Sequence, residues 1–283
     1  MQVVEYEGFN NMKEGADAPI VDPKLFPQWI LCENNDLLAL DKPGWLVCHP
    51  SKNGPWSSLV GATKEYLGVD SIHLVSRLDR ETSGVVILAK HKKAASIWQK
   101  GVEHRKVKRT YLTILRGEMT EEKNVESFIG NDPESEVFVK QRVTQESRKS
   151  QRALTHFIPL HAQNQHTLCL VKTQTGRKHQ IRVHANHLGN PIVGDKLYGP
   201  DESFYLRFIE EGWRKEWVED LGMSRQALHG LTIEHHDLGT SFMAPVPIDM
   251  KEYLDKKADW GLEKIETKIN ETLTKLSCRE SEE

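Results

Sequence analysis

The sequence predicts an α+β fold: one mixed, mainly antiparallel sheet flanked by helices and loops. Three observations carry this. Segments with strand character outnumber helical ones. The two kinds are interspersed without the strand–helix–strand repeat of a doubly wound sheet. The 283 residues are 38% hydrophobic and 28% charged, the balance of a globular chain with enough apolar material for a sizeable core.

Residues 1–25 are polar and irregular and are expected to form an N-terminal arm. Strand signals follow at 29–32 and 37–40. Asp41-Lys42-Pro43-Gly44 ends the second, and Trp45-Leu46-Val47-Cys48 restarts it. Leu59, Val60, Ala62, Tyr66 and Leu67, with Ser57-Ser58 before and Gly68 after, predict a short helix. The apolar run 85–89 predicts a buried strand, 94–102 a helix, and the β-branched and aromatic run 110–115 a strand. Further strands are expected at 137–139, 153–158 and 167–172. Ile181, His184, Ala185 and Leu188 fall at i, i+3, i+4, i+7, which predicts a helix over 179–188 stopped by Gly189. Residues 203–218 are expected to form a second amphipathic helix, followed by strands at 227–233 and 241–244. The elements from 26 to 254 are expected to make one domain, with 201–222 as a helical insertion.

Residues 255–283 read as a C-terminal helix and an acidic tail. Leu262, Ile265, Ile269, Leu273 and Leu276 form a stripe near heptad spacing. Covering only about two heptads, it suits a helix packed on its own domain better than a dimerisation seam. A monomer is expected.

No apolar run approaches the roughly 20 residues of a membrane span, and the first residues lack a signal-peptide pattern. Cys32, Cys48, Cys169 and Cys278 are far apart. That spacing speaks against a disulfide framework or zinc knuckle and for a reducing, cytoplasmic setting. The net charge of −3 is unevenly laid out. Residues 90–109 carry eight Lys or Arg against Glu103, and 140–152 carry five against Glu146. Acids crowd at 201–220 and at the tail. The basic stretches are either two solvated surfaces or one face suited to phosphate.

Four segments carry chemistry. Arg77-Leu78-Asp79-Arg80-Glu81-Thr82-Ser83-Gly84 places a carboxylate in a polar turn between apolar runs. Arginines on both sides favour its ionised form. Thr175-Gly176-Arg177-Lys178-His179 joins a strand to a helix N-terminus, an anion-attracting corner that suits a phosphate or a carboxylate such as Asp79. Arg105-Lys106-Val107-Lys108-Arg109-Thr110-Tyr111 alternates so that Arg105, Val107, Arg109 and Tyr111 share a strand face. That arrangement suits either a nucleotide or a core tyrosine beside solvated cations. Leu40 to Pro50, a strand, a Pro-Gly turn and a second strand, reads as scaffold that could supply one wall of a site. The loop 194–199 reads as structural. His179, His184 and His187 do not have the spacing of a metal-binding set, so no metal is expected.

In this order, the four segments resemble the RluA/RsuA-like pseudouridine synthase family, closer to its RluA branch. The resemblance rests on strand-Asp-Lys-Pro at 40–43, Arg-Leu-Asp-x-x-Thr-Ser-Gly at 77–84, the basic strand ending in Tyr111, and Thr-Gly-Arg-x-His-Gln-Ile-Arg-x-His at 175–184. It covers roughly residues 38–245. Two departures stand out. Ser76 replaces the histidine usual before Arg-Leu-Asp, which is expected to retune substrate contact. Residues 1–25 are too short for the S4-type RNA-binding domain of many relatives.

The resemblance implies isomerisation of uridine to pseudouridine in structured RNA, a ribosomal or transfer RNA stem-loop, by base flipping and without cofactor. Asp79 would be the essential carboxylate, as nucleophile or as base. Arg177 would keep it ionised. Tyr111 would stack on the uracil, and Arg77 would fill the gap left by the flipped nucleotide. Arg105, Lys106, Lys108, Arg109, Lys178 and His179 would bind substrate. A catalytically idle RNA-binding protein on the same fold is the alternative. A glycoside hydrolase would need a second embedded carboxylate.

Overall fold

A computed structural model describes residues 19–50 and 53–280. Most of the expected arm and the last three residues of the acidic tail lie outside this range. Val21 begins the core: it is 1% exposed, and its amide donates to the Trp56 carbonyl at 2.8 Å.

One sheet of eleven strands organises the described residues. The strands are β1 (Ile30–Glu33), β2 (Leu37–Lys42), β3 (His73–Leu74), β4 (Ser83–Ala89), β5 (Val107–Arg116), β6 (Lys123–Asn131), β7 (Gln141–Thr144), β8 (Gln151–Gln163), β9 (His166–Thr173), β10 (Leu228–His235) and β11 (Thr240–Met243). The order is β1-β2-β4-β10-β5-β9-β8-β6-β7, with β3 beside β4 and β11 beside β10. Among these pairings only β4 with β10 is parallel. That pair brings the Asp79 loop, which leads into β4, to the middle of the sheet.

The parallel contact depends on glycine. Gly84 has φ +112°, and a Cβ there would lie 2.2 Å from the Gly230 carbonyl oxygen. Only a residue without a side chain permits both the conformation and the approach.

Helices cover the sheet. They are α1 (Leu59–Leu67), α2 (Lys92–Glu103), α3 (Gln180–His187), α4 (Ser203–Glu211), α5 (Val218–Leu221), α6 (Ile248–Ala258) and α7 (Leu262–Glu280). α1 has the expected ends: the Ser58 hydroxyl accepts from the Gly61 amide, and Gly68 adopts φ +64°. On α7, Ile265 and Ile269 are 2% and 1% exposed and share one core with Leu112, Ile114, Phe157 and Leu170, while Leu273 packs against it. The stripe therefore faces its own sheet at these positions. The side chains of Leu262 and Leu276 lie outside the described set.

Several expectations are corrected. Residues 137–139 form a loop, not a strand. Val137 is buried beside Tyr198 and Phe138 points out at 86% exposure, so their alternation mimics a strand. Trp45, Leu46 and Cys48 are buried, but the stretch is irregular, with a single bridge from Val47 to Ser58. The expected helix at 203–218 breaks at Gly212, with φ +81°, into α4 and, after a 3-10 turn, α5. Arg105 is not on β5: it turns the chain after α2 with φ +59°. β6, β7 and α6 match no element that the sequence predicts.

Candidate active site

Asp79 lies in the loop between β3 and β4, where the Thr82 amide donates to the Asp79 carbonyl at 3.1 Å. Buried polar side chains fix this loop. Lys42, 0% exposed at the end of β2, donates from Nζ to the carbonyls of Pro43, Leu46 and Arg80 at 2.8, 2.8 and 3.1 Å. Burial pushes its pKa down to about 8. The Gln226 amide donates to the Thr82 hydroxyl at 2.6 Å, and Ser83 Oγ bonds to His229 Nδ1 at 2.9 Å. The aspartate is therefore presented by a loop whose backbone is tied to β2 and to β10 and the residues just before it.

The partner of Asp79 is Arg182. Its Nη1 donates to Asp79 Oδ2 at 3.0 Å. Its Nε and Nη2 form a bidentate pair with Asp195 at 2.7 and 2.9 Å, the strong geometry for guanidinium and carboxylate. Asp195 is fully buried and also accepts from the amides of Leu197 and Tyr198. The Tyr198 ring lies under the guanidinium, 4.9 Å from Arg182 Cζ. The Tyr198 hydroxyl meets His179 Nδ1 at 2.9 Å, and His179 Nε2 lies 4.0 Å from Asp79 Oδ2.

These contacts set the charges. Burial alone raises the Asp79 carboxyl; the pull of a charged His179 and of Arg182 opposes it, and the net shift is downward from 3.8. Burial pushes His179 itself down to about 4, so it is neutral at pH 7. Arg182 is then the charge that keeps Asp79 ionised.

Asp79 opens into a cleft of about 450 Å³. Ser76, Arg77, Arg109, Tyr111, Arg177, Lys178 and His179 are among its walls. Arg77 is exposed, with Nη1 3.2 Å from His49 Nε2.

Other expected residues take different partners or positions. Arg177 does not pair with Asp79: its Nε donates to the Arg152 carbonyl at 3.0 Å. The reason is local. α3 starts only at Gln180, after His179 at φ +55°, so the side chain delivered to Asp79 comes from the first turn of the helix. Arg105 and Lys108 line a separate groove of about 750 Å³ that shares Arg109 and Thr173 with the cleft. Lys106 lines neither and faces Asp237 at 3.6 Å. His184 is buried and bonded to Ser127 and Thr155. No metal-binding cluster of His, Cys, Asp or Glu, and no helix long and apolar enough to cross a membrane, occurs among the described residues.

The sequence does not single out Arg182, Asp195, Tyr198 or Lys42. A signal existed for Arg182: it stands three residues after His179 on a predicted helix. Asp195 and Tyr198 gave only a glycine-bounded loop.

Residues 36–187 match the family model described as RNA pseudouridylate synthase. An uncharacterized RNA pseudouridine synthase of Bacillus subtilis, YjbO, is 35% identical over 81% of this chain and 76% of its own length. The ribosomal large subunit pseudouridine synthase D of Xanthomonas campestris is 33% identical over 82% of this chain and 70% of its own. Among solved structures, human RNA pseudouridylate synthase domain containing 4 superposes with a TM-score of 0.65 at 25% identity, covering 83% of this chain and 94% of that one. Sequence likeness over most of the length and a shared fold lead to one conclusion: the chain belongs to the RNA pseudouridine synthase family and is an isomerase acting on uridine in RNA.

Proposed function

We propose that this chain modifies a uridine of large-subunit ribosomal RNA, with Asp79 as the catalytic carboxylate. One observation carries the role of Asp79: it is a carboxylate held ionised by Arg182, lining a cleft that Tyr111 also lines. The choice of RNA is supported by several relatives named ribosomal large subunit pseudouridine synthase D.

The reaction balances without an external reactant. The N1–C1′ bond of uridine breaks, the uracil turns, and a C5–C1′ bond forms. C5 loses a proton and N1 carries one in the product. Asp79 acts as nucleophile on the ribose or base, or as the base that takes a sugar proton; both roles need its charged form. Tyr111 offers its ring to the turning uracil. Arg77, at the rim, fills the space left by the extruded nucleotide, whose unstacking costs a few kcal/mol. Arg109, Arg177 and Lys178 hold the flanking backbone, so binding weakens with added salt.

The test is tritium release from large-subunit ribosomal RNA labelled at uridine C5. Wild-type protein releases tritium, and Asp79→Ala binds the same RNA without release. Release that survives Asp79→Ala overturns the catalytic role. Pseudouridine mapping in cells with and without the protein tests the target: a site lost from transfer RNA alone would overturn the ribosomal assignment.

A further inference from the structure

Two adjacent residues, Asp195 and Lys196, grip the catalytic loop from two sides. Asp195 reaches it through Arg182. Lys196 reaches it directly: its Nζ pairs with Glu81 Oε1 at 2.5 Å and donates to the Ser224 carbonyl at 2.6 Å. Glu81 is two residues from Asp79. The Lys196 ammonium is 1% exposed and lies 4.6 Å from the centre of the Phe208 ring and 5.2 Å from that of Trp213. Phe208 belongs to α4 and Trp213 follows it, so both come from the 201–222 segment. The Arg225 guanidinium also lies 3.4 Å from the Glu81 carbonyl.

A buried ion pair contributes little net stability compared with an apolar pair of the same shape, because both charges lose their hydration. What it supplies is position. An ammonium between two aromatic faces has a defined place, and Glu81 must meet it there. Lys196 and Asp195 are neighbours in one loop, so any movement of that loop shifts Glu81 and Arg182 together. Both ends of the Asp79 turn are thereby referred to one rigid point.

We infer that Lys196 is a positioning residue for Asp79, and that the 201–222 segment acts on catalysis by holding Lys196 through Phe208 and Trp213. Lys196 touches no substrate. The inference rests on Asp79 being the catalytic carboxylate.

Single-turnover tritium release at saturating RNA, measured beside RNA affinity, tests it. Lys196→Met slows release tenfold or more and leaves the Kd for RNA within twofold. Trp213→Leu keeps an apolar side chain, removes one aromatic face, and slows release by a smaller factor in the same way. Glu81→Gln combined with Lys196→Met is no slower than Lys196→Met alone, because the two act as one unit. A folded Lys196→Met protein with the wild-type rate overturns the inference, as does a loss confined to Kd. Should Lys196→Met fail to fold, Trp213→Leu and Glu81→Gln decide: wild-type rates in both overturn it, and slowed release at unchanged Kd supports it. Asp79→Ala run in parallel separates the two readings. If it still releases tritium, the role of Asp79 fails; if it does not while Lys196→Met is fast, only the positioning role fails.

Discussion

Arg182 binds two carboxylates at once, Asp79 at 3.0 Å and Asp195 at 2.7 and 2.9 Å. A planar guanidinium does this with fixed geometry, and a lysine cannot. Arg182→Lys should therefore reduce tritium release by roughly 100-fold, the scale of losing one aligned electrostatic donor. Arg182→Met should in addition lower stability by about 3–5 kcal/mol, because Asp195 would stay buried without its partner. Single-turnover kinetics and urea denaturation check the two parts separately.

Acid should unfold the protein through its buried histidines. Burial, the largest cause in each case, lowers His179 and His184 to about 4 and His229 to about 3. The unfolded chain takes up these protons near pH 6.5, and the folded one resists them. Stability is therefore full above about 6.5 and falls as pH drops towards 4, by about 1.4 kcal/mol per pH unit for each imidazole. Asp79 adds to the loss below 3.8, because its folded pKa is depressed. Urea midpoints measured from pH 7.5 to 4.5 should decline, and the decline should be shallower in His229→Gln. A flat profile would contradict the buried neutral state.

Gly84→Ala should cost on the order of 3–5 kcal/mol, combining left-handed backbone strain with a clash against the β10 backbone. The neighbouring atom is a carbonyl oxygen, which cannot rotate away as a side chain would. Thermal unfolding and soluble yield measure this. Gly68→Ala is the control: its φ of +64° is also positive but lies in the left-handed helical region, and nothing lies within 4 Å of the added methyl, so its loss should be smaller.

Removing the α7 anchor should loosen the back of the sheet and leave the chemistry intact. Ile269→Ala deletes a fully buried side chain and is expected to cost about 2–5 kcal/mol. Single-turnover release at a temperature where the variant remains folded should match wild type.

The fold class, the Asp79 loop, both ends of α1 and the inward face of α7 are legible in the amino-acid order alone. Each depends on local spacing: turn residues between apolar runs, a serine cap with a glycine stop, a stripe three or four residues apart. The sequence also carried the family, because four motifs occur in a fixed order. Which cation serves Asp79 depends on long-range packing. Arg182, in the first turn of α3, meets Asp79, while Arg177, ahead of that helix, turns to the Arg152 carbonyl, and no periodicity marks which of the two faces the carboxylate. Lys42 and Lys196 read as ordinary charged residues until long-range packing surrounds them with carbonyls, Glu81 and two aromatic rings. Local sequence fixes which way a chain turns, whereas ion pairs between residues about a hundred positions apart exist only once the sheet has closed around them.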